Sequence, residues 1–486
     1  MAALEASGVR GRHSSHDWPL VFDDLGFTRK LVICILQFGL HYALPYAAVS
    51  LPFQLRKVAF PWKSALAAEL AFYLWMVLAK LPSLRAVPLA AEAPHGTMLE
   101  LYQTSVGRVK LADSLGYPWQ RWLSGWFRGA QPDEIRRDNL AEWIAAMFYS
   151  KHIGQLGAAE RAEVDYMAND LPERLGWSVQ PGRNPSVRGI QTLLDPMRPV
   201  LLRSLLQYLV ASAMPRLFSA VVLGLLGLRR SRCPKTGLRY WWRAPARFTT
   251  EPDLILFHGL CGFTGYLALI TVLLRQSSRG AVLFEIEDIS LCLNQARPSS
   301  RAAVLETARA ALDRLQAVRR GVRRSCLVVG HSLGTGPASW LLAEPPAPIA
   351  GAVLIDPICV MLEMPDVAHS FLYRAPRSAF EWLCFLWCSS EPGMQFHFRR
   401  RFFWHQHILN PEHVAELPVA FFLSEKDQIV PSHIVRAFVH DQIKSADVIM
   451  WKGIGHTYFM GFPSCHAQIS QWIARCPHAH DKWIGR

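Results

Sequence analysis

Charged side chains are scarce in this sequence of 486 residues. Asp, Glu, Lys and Arg together make up 19% of it, whereas hydrophobic residues make up 51%. An average soluble protein carries about 25% charged residues. Because the surplus of apolar side chains needs an apolar environment, we expect part of the chain to contact a membrane. The length predicts two or three folded units rather than one.

Acidic residues are the scarcer charged kind, 38 against 52 basic residues, which gives a net charge of +14. Such a balance favours anionic partners, either nucleic acid or an anionic lipid surface. The sequence has no zinc-finger spacing and no signature of single-strand binding, and its arginine pairs and triples stand beside apolar segments. We therefore predict a membrane partner and no nucleic acid. The oligomeric state stays open.

CxxC pairs are absent, although the chain has ten cysteines. Cys384 and Cys388 stand four residues apart and Cys465 precedes His466, but neither spacing is that of a zinc site. The thiols are expected to be reduced and buried, in a catalytic unit that faces the cytosol. The sequence predicts neither a metal nor an organic cofactor.

The first region, residues 1–95, lacks the early apolar core of a cleavable signal peptide, so none is expected. Leu31–Phe53 is an apolar stretch long enough to span a bilayer. A second, shorter candidate, Ser64–Ala79, contains Glu69. The basic connection between the two candidates would lie on the cytoplasmic side. The alternative for both is a pair of buried or interfacial helices.

The second region, residues 96–235, is expected to be mostly helical and to carry no catalytic group. One helix is predicted after an N-cap at Asp138 or Asn139. Val200–Leu228 is apolar but is interrupted by arginine and proline, which predicts an interfacial helix pair with basic residues beyond it at headgroup level. Short strands begin to alternate with helices near residue 235, so the third unit is set at residues 236–486.

This third unit has the pattern of a parallel sheet. Short apolar runs at Leu254–Phe257, Ala281–Phe284 and Cys326–Val329 alternate with helical segments, one of them at Ser299–Val318. Strands buried on both faces read as continuous apolar runs, and strands that alternate with helices form right-handed βαβ units. We predict an α/β fold, with a mostly parallel sheet flanked by helices.

The last of these strands runs into Gly330-His331-Ser332-Leu333-Gly334, a G-x-S-x-G motif between a strand and a helix. In such a turn the serine takes a strained backbone conformation that exposes its Oγ, and the glycines leave room for neighbouring elements. The alternative is a serine that caps a helix after a glycine turn. We predict that Ser332 is a nucleophile.

A nucleophilic serine needs a base and an acid that orients the base. Asp427 follows the predicted strand Val419–Leu423, and His456 follows the predicted strand Asp447–Trp451. Both therefore lie just beyond strand ends, where sites form in parallel sheets. Asp356, directly after the strand that follows the motif, is the alternative acid.

These pieces resemble the α/β-hydrolase fold family, close to its lipases and esterases, over about residues 236–475. The matching motifs are His258-Gly259, Gly330-His331-Ser332-Leu333-Gly334, Asp427 followed by Ile429-Val430-Pro431, and Gly455-His456. The resemblance implies that Ser332 attacks an acyl carbon, that His456 takes and returns the proton, and that Asp427 orients the imidazole.

The same resemblance implies an oxyanion hole formed by the backbone N–H groups of Leu260 and Leu333. His258 is expected to brace the loop that carries Leu260 through hydrogen bonds, and His331 is not expected to be the base. The His-x4-Asp pattern of some acyltransferase-like relatives is absent at His456, which favours hydrolysis over acyl transfer.

Residues 359–418 lie where this fold usually inserts a cap, and they are expected to be helical. The segment is rich in aromatic residues, which predicts either an ordinary cap core or an apolar acyl-chain pocket beneath a lid. Its basic run, Arg399–Arg401, would either meet lipid headgroups or be solvated.

We therefore predict a membrane-associated, intracellular serine hydrolase that cleaves the carboxylic ester of a lipid through an acyl-enzyme. Two other functions stay open. One is an esterase or thioesterase with a soluble substrate, and the other is a non-catalytic membrane scaffold that keeps the fold.

Overall fold

The computed structural model of the chain describes residues 60–86, 96–197, 200–246, 249–260, 262–275, 277–290, 299–318 and 325–476. The first predicted membrane span, Leu31–Phe53, and the basic connection after it lie outside these residues. The second candidate lies in a helical run made of α1 (Phe60–Trp75), a π-helical turn (Met76–Lys80) and α2 (Leu81–Ala86). Lys63–Arg85 is the one helix in this part of the chain that is long and apolar enough to cross a bilayer.

Glu69, the acidic residue in this apolar helix, caps a second apolar helix. Its carboxylate accepts hydrogen bonds from the backbone N–H groups of Leu205 and Leu206, at 2.7 and 2.8 Å. These groups begin α7 (Leu205–Tyr208), which continues through a π-helical turn into α8 (Met214–Leu225). Because a helix N-terminus presents unpaired N–H groups and a partial positive charge, the carboxylate stabilises it.

Four helices fill the region between these apolar segments: α3 (Met98–Ser114), α4 (Trp119–Trp126), α5 (Arg137–Tyr149) and α6 (Ala158–Leu175). The N-cap expected at Asp138 or Asn139 is wrong, since α5 already begins at Arg137. The Asn139 side chain accepts instead from the backbone N–H groups of Arg136 and Asn184, at 3.3 and 2.9 Å, which joins the start of α5 to a distant loop.

The C-terminal half contains an eight-stranded sheet. Its strands are β1 (Arg229–Arg232), β2 (Arg239–Arg243), β3 (Asp253–Phe257), β4 (Ala281–Glu285), β5 (Cys326–His331), β6 (Ile349–Ile355), β7 (Val419–Ser424) and β8 (Ala446–Trp451). The helices between and after them are α9 (Leu267–Arg275), α10 (Arg301–Val318), α11 (Thr335–Ala343), α12 (Asp366–Ala368), α13 (Ala379–Cys384), α14 (Pro392–Arg400), α15 (Ser432–Gln442) and α16 (Pro463–Arg475).

The strand order is β1-β2-β4-β3-β5-β6-β7-β8, and every pair from β4 to β8 is parallel. The expectation of a mostly parallel sheet flanked by helices is confirmed. The pairs β1–β2 and β2–β4 are antiparallel. The sheet thus begins at Arg229, before the boundary expected near residue 235, with arginines that had been expected at headgroup level. Arg230 pairs with Glu285, so charged side chains protect this edge strand.

Two apolar cores cover the two faces of the sheet. Along β3, Ile255 and Phe257 belong to one core, and Leu254 and Leu256 belong to the other. The first core also contains the buried faces of α3 to α6, and the second contains those of α8, α9 and α16. The helical region before the sheet is therefore packed as one of its layers.

Candidate active site

Ser332 stands at the sharp turn between β5 and α11. Its φ angle is 50°, in the left-handed region that a non-glycine residue enters only when its surroundings hold it there. A Cβ at Gly330 would lie 3.0 Å from the Cβ of Ala338, and a Cβ at Gly334 would lie 2.5 Å from two backbone carbonyl oxygens at the end of β3. Close packing therefore requires both glycines of the motif.

The structure brings Ser332, Asp427 and His456 together from three strand ends. Ser332 Oγ lies 2.9 Å from His456 Nε2, and His456 Nδ1 lies 2.6 Å from Asp427 Oδ2. Because the carboxylate accepts from Nδ1, that nitrogen carries the hydrogen and Nε2 is left to accept the serine proton. The backbone N–H groups of Ile429 and Val430 donate to the other oxygen of Asp427, at 2.7 and 2.8 Å, and fix its orientation.

The charges around His456 suit it to take a proton. Burial lowers the pKa of its imidazole, but the charge and hydrogen bond of Asp427, together with the charge of Asp356, outweigh burial and raise that pKa above its usual value. The imidazolium is thus stabilised by its neighbours, as a general base for a serine hydroxyl requires.

Asp356, the alternative acid, lies farther from the histidine. Its Oδ2 is 4.0 Å from His456 Nδ1, against 2.6 Å for Asp427. A separation of 4.0 Å is too long for a hydrogen bond, so the geometry favours Asp427 as the partner of the imidazole. Asp356 is fully buried, and burial together with the charge of Asp427 raises its pKa to about 7.

Three nitrogen and oxygen atoms beside this relay have the spacing of metal ligands. His331, Asp356 and His456 each offer one such atom, and the three atoms lie within 4.8 Å of one another. An ion held by them would replace the hydrogen bond between His456 and Asp427. The same atoms can therefore serve a proton relay or a metal, but not both at once.

The loop after β3 lies beside Ser332. The backbone N–H of Ile286 donates to His258 Nε2 at 3.1 Å, so His258 Nδ1 carries the hydrogen and donates to the carbonyl oxygen of Gly259 at 2.6 Å. These bonds brace the loop as expected for His258. Leu260 and Leu333 line the same pocket as Ser332. Their role as oxyanion donors stays a prediction.

Residues 254–468 match the model of a family described as the alpha/beta hydrolase family. The C-terminal half of the chain belongs to the α/β-hydrolase family. No curated protein matches the chain in sequence.

Solved structures similar to this hydrolase unit include a membrane phospholipase A described as a novel bacterial virulence factor, with 17% identity over 55% of this chain and 93% of that chain and a TM-score of 0.39. An esterase from Rhodococcus sp. has 16% identity over 52% of this chain and 100% of its own, with a TM-score of 0.36. Naproxen esterase from Bacillus subtilis has 14% identity over 55% of this chain and 97% of its own, with a TM-score of 0.37.

An apolar pocket opens onto Ser332 of the hydrolase unit. The cap (residues 359–418) is helical as expected, and its Phe371, Phe398 and Trp404 form one wall. Trp126, Ala146 and Met147 of the N-terminal helical region form another wall.

The contribution of the N-terminal region to this pocket was not foreseen from the sequence, which led only to the expectation that residues 96–235 carry no catalytic group. The signal for it was present in the sequence of α5, which is apolar on nearly all sides from Leu140 to Tyr149. A helix that is apolar all round is a buried helix. It needs a partner, and here the partner is the cap: Trp404 Nε1 donates to the carbonyl oxygen of Met147 at 2.9 Å.

Arg399 and Arg400 also differ from expectation, since they neither face outward to headgroups nor are solvated. Arg399 is buried and donates to Gln395 and Tyr373, both at 2.8 Å. Arg400 donates to the carbonyl oxygen of Leu193 at 2.8 Å. The basic run therefore ties α14 to the rest of the cap and to the N-terminal region.

Proposed function

We propose that this protein is a membrane-associated serine hydrolase that cleaves the carboxylic ester of a lipid. The observation that carries the proposal is the line of Ser332 Oγ, His456 Nε2 and Nδ1, and Asp427 Oδ2, with steps of 2.9 and 2.6 Å between side chains, at the wall of an apolar pocket.

The proposed reaction has two steps. In the first, His456 Nε2 takes the proton of Ser332 as Oγ attacks the acyl carbon, and the imidazolium then gives that proton to the departing alcohol, which leaves an acyl-enzyme. In the second, water attacks the acyl carbon, His456 takes the water proton and returns it to Ser332, and the acid departs. Asp427 keeps its charge throughout and stabilises the imidazolium.

The backbone N–H groups of Leu260 and Leu333 are the proposed donors to the oxyanion. Leu333 lies in the helical turn Ser332–Gly334, which leads into α11, and helix N-termini present unpaired N–H groups. Donors that are already oriented stabilise the charge as it develops, without reorganisation at the moment of reaction.

The shape of the pocket supports an apolar acyl group as substrate. Its walls are aliphatic and aromatic, and apart from Ser332 the side chain of Thr192 is the one hydroxyl among its lining residues in the described part of the chain. An alkyl chain gains about 0.8 kcal/mol per buried CH₂. A polar acyl group would lose its hydration without gaining new hydrogen bonds.

The exposed face of α7 and α8 supports a membrane location. Large apolar side chains recur there at helical spacing and remain accessible: Leu206, Leu209, Val210, Met214, Leu217, Phe218, Val221 and Leu225, the last of them 83% exposed. The adjoining run Lys63–Arg85 adds Leu74, Trp75 and Leu78. A continuous apolar surface of this kind is typical of a site that contacts lipid or protein.

A chain-length series tests the proposal. Wild type, Ser332→Ala and the control Ser339→Ala, on the helix that follows Ser332, would be assayed with p-nitrophenyl esters from acetate to laurate. We expect wild type and the control to hydrolyse the longer esters with higher kcat/KM, and Ser332→Ala to lose activity on all of them. Activity that survives in Ser332→Ala, or a preference for acetate, would contradict the proposal.

A further inference from the structure

A second buried carboxylate faces the catalytic histidine and is not used in the reaction above. Asp356 follows β6 with a φ of 41°, a strained value for a residue with a side chain, and it is fully buried. Ser424 at the end of β7 holds it in place. The backbone N–H of Ser424 donates to Oδ1 at 2.7 Å, and its hydroxyl donates to Oδ2 at 2.8 Å.

The neighbouring imidazole of His331 presents an N–H toward this carboxylate. The backbone N–H of Gly259 donates to the Tyr266 hydroxyl at 2.7 Å, so the hydroxyl hydrogen is left for His331 Nδ1, at 2.5 Å. Nδ1 therefore accepts, and Nε2 carries the ring hydrogen. Burial, with the charges of nearby histidines, keeps the pKa of His331 well below its usual value, so the ring is neutral.

Asp356 Oδ2 thus lies between two imidazole nitrogens. It is 4.0 Å from His331 Nε2 and 4.0 Å from His456 Nδ1. His331 Nε2 is buried and has no hydrogen-bond partner among the described residues. Either nitrogen would need to approach by only about 1 Å to form a hydrogen bond with the carboxylate.

We propose that Asp356 is a reserve positioning residue that acts through His456: it becomes the partner of the imidazole Nδ1 when the carboxylate of Asp427 is removed. The inference rests on the function proposed above. The charge of Asp427 raises the pKa of Asp356, so removal of the Asp427 carboxylate favours ionisation of Asp356. The groups that face Asp356 are His331 from β5, Ser424 from β7, and Asp427 and His456 from the loops after β7 and β8.

The choice of substitution at Asp427 matters for the test. In Asp427→Asn the amide oxygen would stay with the N–H groups of Ile429 and Val430, and the amide nitrogen would point at His456 and impose the wrong tautomer. Asp427→Ala avoids this and leaves room for the imidazole to approach Asp356. The test therefore compares wild type, Asp356→Asn, Asp427→Ala and the double variant.

We expect Asp427→Ala to keep at least about ten times the kcat of the double variant, and Asp356→Asn to cost less in wild type than in the Asp427→Ala background. Active-site titration with a fluorophosphonate corrects each rate for the folded fraction. Equal kcat in Asp427→Ala and the double variant would overturn the inference, as would an Asp356→Asn loss of the same size in both backgrounds.

A titration of the His456 imidazole by NMR provides a readout that needs no turnover. In the Asp427→Ala background, Asp356→Asn removes the remaining negative charge and should lower the pKa of His456, whereas Ser424→Ala keeps that charge and should lower it less. An equal effect of both substitutions would assign Asp356 a merely structural role. If wild type itself neither turns over ester nor reacts with the probe, the proposed function fails, and the titration still decides the inference.

Discussion

At the scale of single residues, the site is a balance between burial and charge. Burial alone would lower the pKa of His456, and it raises the pKa of Asp356. Asp427 reverses the sign for the histidine because its carboxylate lies at hydrogen-bond distance, 2.6 Å, inside a region that water does not reach. The charge of Asp427 therefore raises the pKa of both His456 and Asp356.

The pH dependence of the reaction follows from this balance. His456 must be neutral to take the serine proton, so kcat/KM should fall as the pH drops through the pKa of His456 in the free enzyme. Since the fold raises that pKa, we expect the acid limb to lie above the 6.5 of an ordinary histidine. A pH profile of kcat/KM on one ester measures the midpoint of this acid limb. A midpoint below 6.5 would show that Asp427 does not govern the histidine.

Sequence reasoning reached the residues whose roles depend on local motifs. Ser332, Asp427 and His456 each follow a strand, and the structure places their side chains in contact. Tyr266 could not be found in this way, because its contacts, Gly259 and His331, follow different strands and only the assembled sheet brings them together.

At the scale of elements, the turn after β5 shows how closely the parts of the site are packed. Gly334 leaves no room for a side chain, since a Cβ would lie 2.5 Å from the carbonyl oxygens of Phe257 and His258. Any substitution there must move the loop that carries Leu260, one of the two proposed oxyanion donors.

We expect Gly334→Ala to lower kcat by about 100-fold or more, as the loss of one oxyanion donor does in other hydrolases. The matched control is Gly107→Ala on α3, where a Cβ would meet nothing within 4 Å. That change should leave kcat unaltered and stabilise the helix by about 0.5–1 kcal/mol. Equal kcat in both variants would contradict the close packing of the turn against the loop.

Helix α5 sets the length of the pocket in our account. Ala146→Trp should fill part of the space beside Met147 and Trp126, and it should lower kcat/KM for laurate esters by at least about tenfold while acetate esters are spared. Ala159→Trp, at an exposed position of α6, is the control and should change kcat/KM for neither laurate nor acetate esters. An equal loss for short and long esters would mean that the acyl chain does not lie along α5.

The helices and strands were largely predictable from the sequence. Buried parallel strands are short apolar runs, and the loops that bound them are much more polar. The antiparallel pair β1 and β2 was not, since arginines at both of its ends obscure any apolar pattern. The pocket wall formed by α5 was missed for another reason. The apolar sequence of a buried helix indicates that it packs against another element, but not which element that is.

At the scale of the whole molecule, polar and apolar surfaces are unevenly distributed. The exposed apolar residues of α7 and α8 adjoin the apolar run Lys63–Arg85, and Glu69 joins the two segments. On the same side, Ser219 Oγ of α8 lies 3.0 Å from Thr264 Oγ1, two residues before Tyr266. The helix that carries the proposed lipid surface is thus in contact with the segment that follows the loop of Leu260.

We expect the double substitution Leu217→Glu and Phe218→Glu to weaken binding to phosphatidylcholine–phosphatidylserine vesicles by about tenfold or more, since each side chain gains about 1.5–3 kcal/mol on full burial. Co-sedimentation with the vesicles measures the binding. The control pair, Tyr166→Glu and Val318→Glu, also replaces exposed apolar residues but on other helices, and it should bind like wild type. Equal weakening by both pairs would argue against α8 as the contact surface.

The measurement closest to the central claim is covalent labelling of the folded protein with a fluorophosphonate, followed by mass spectrometry of the labelled peptide. The account predicts one adduct, on Ser332, that is absent in Ser332→Ala and retained in Ser339→Ala. A folded wild-type protein that takes up no label, or a label on another residue, would contradict the assignment of Ser332 as an activated nucleophile.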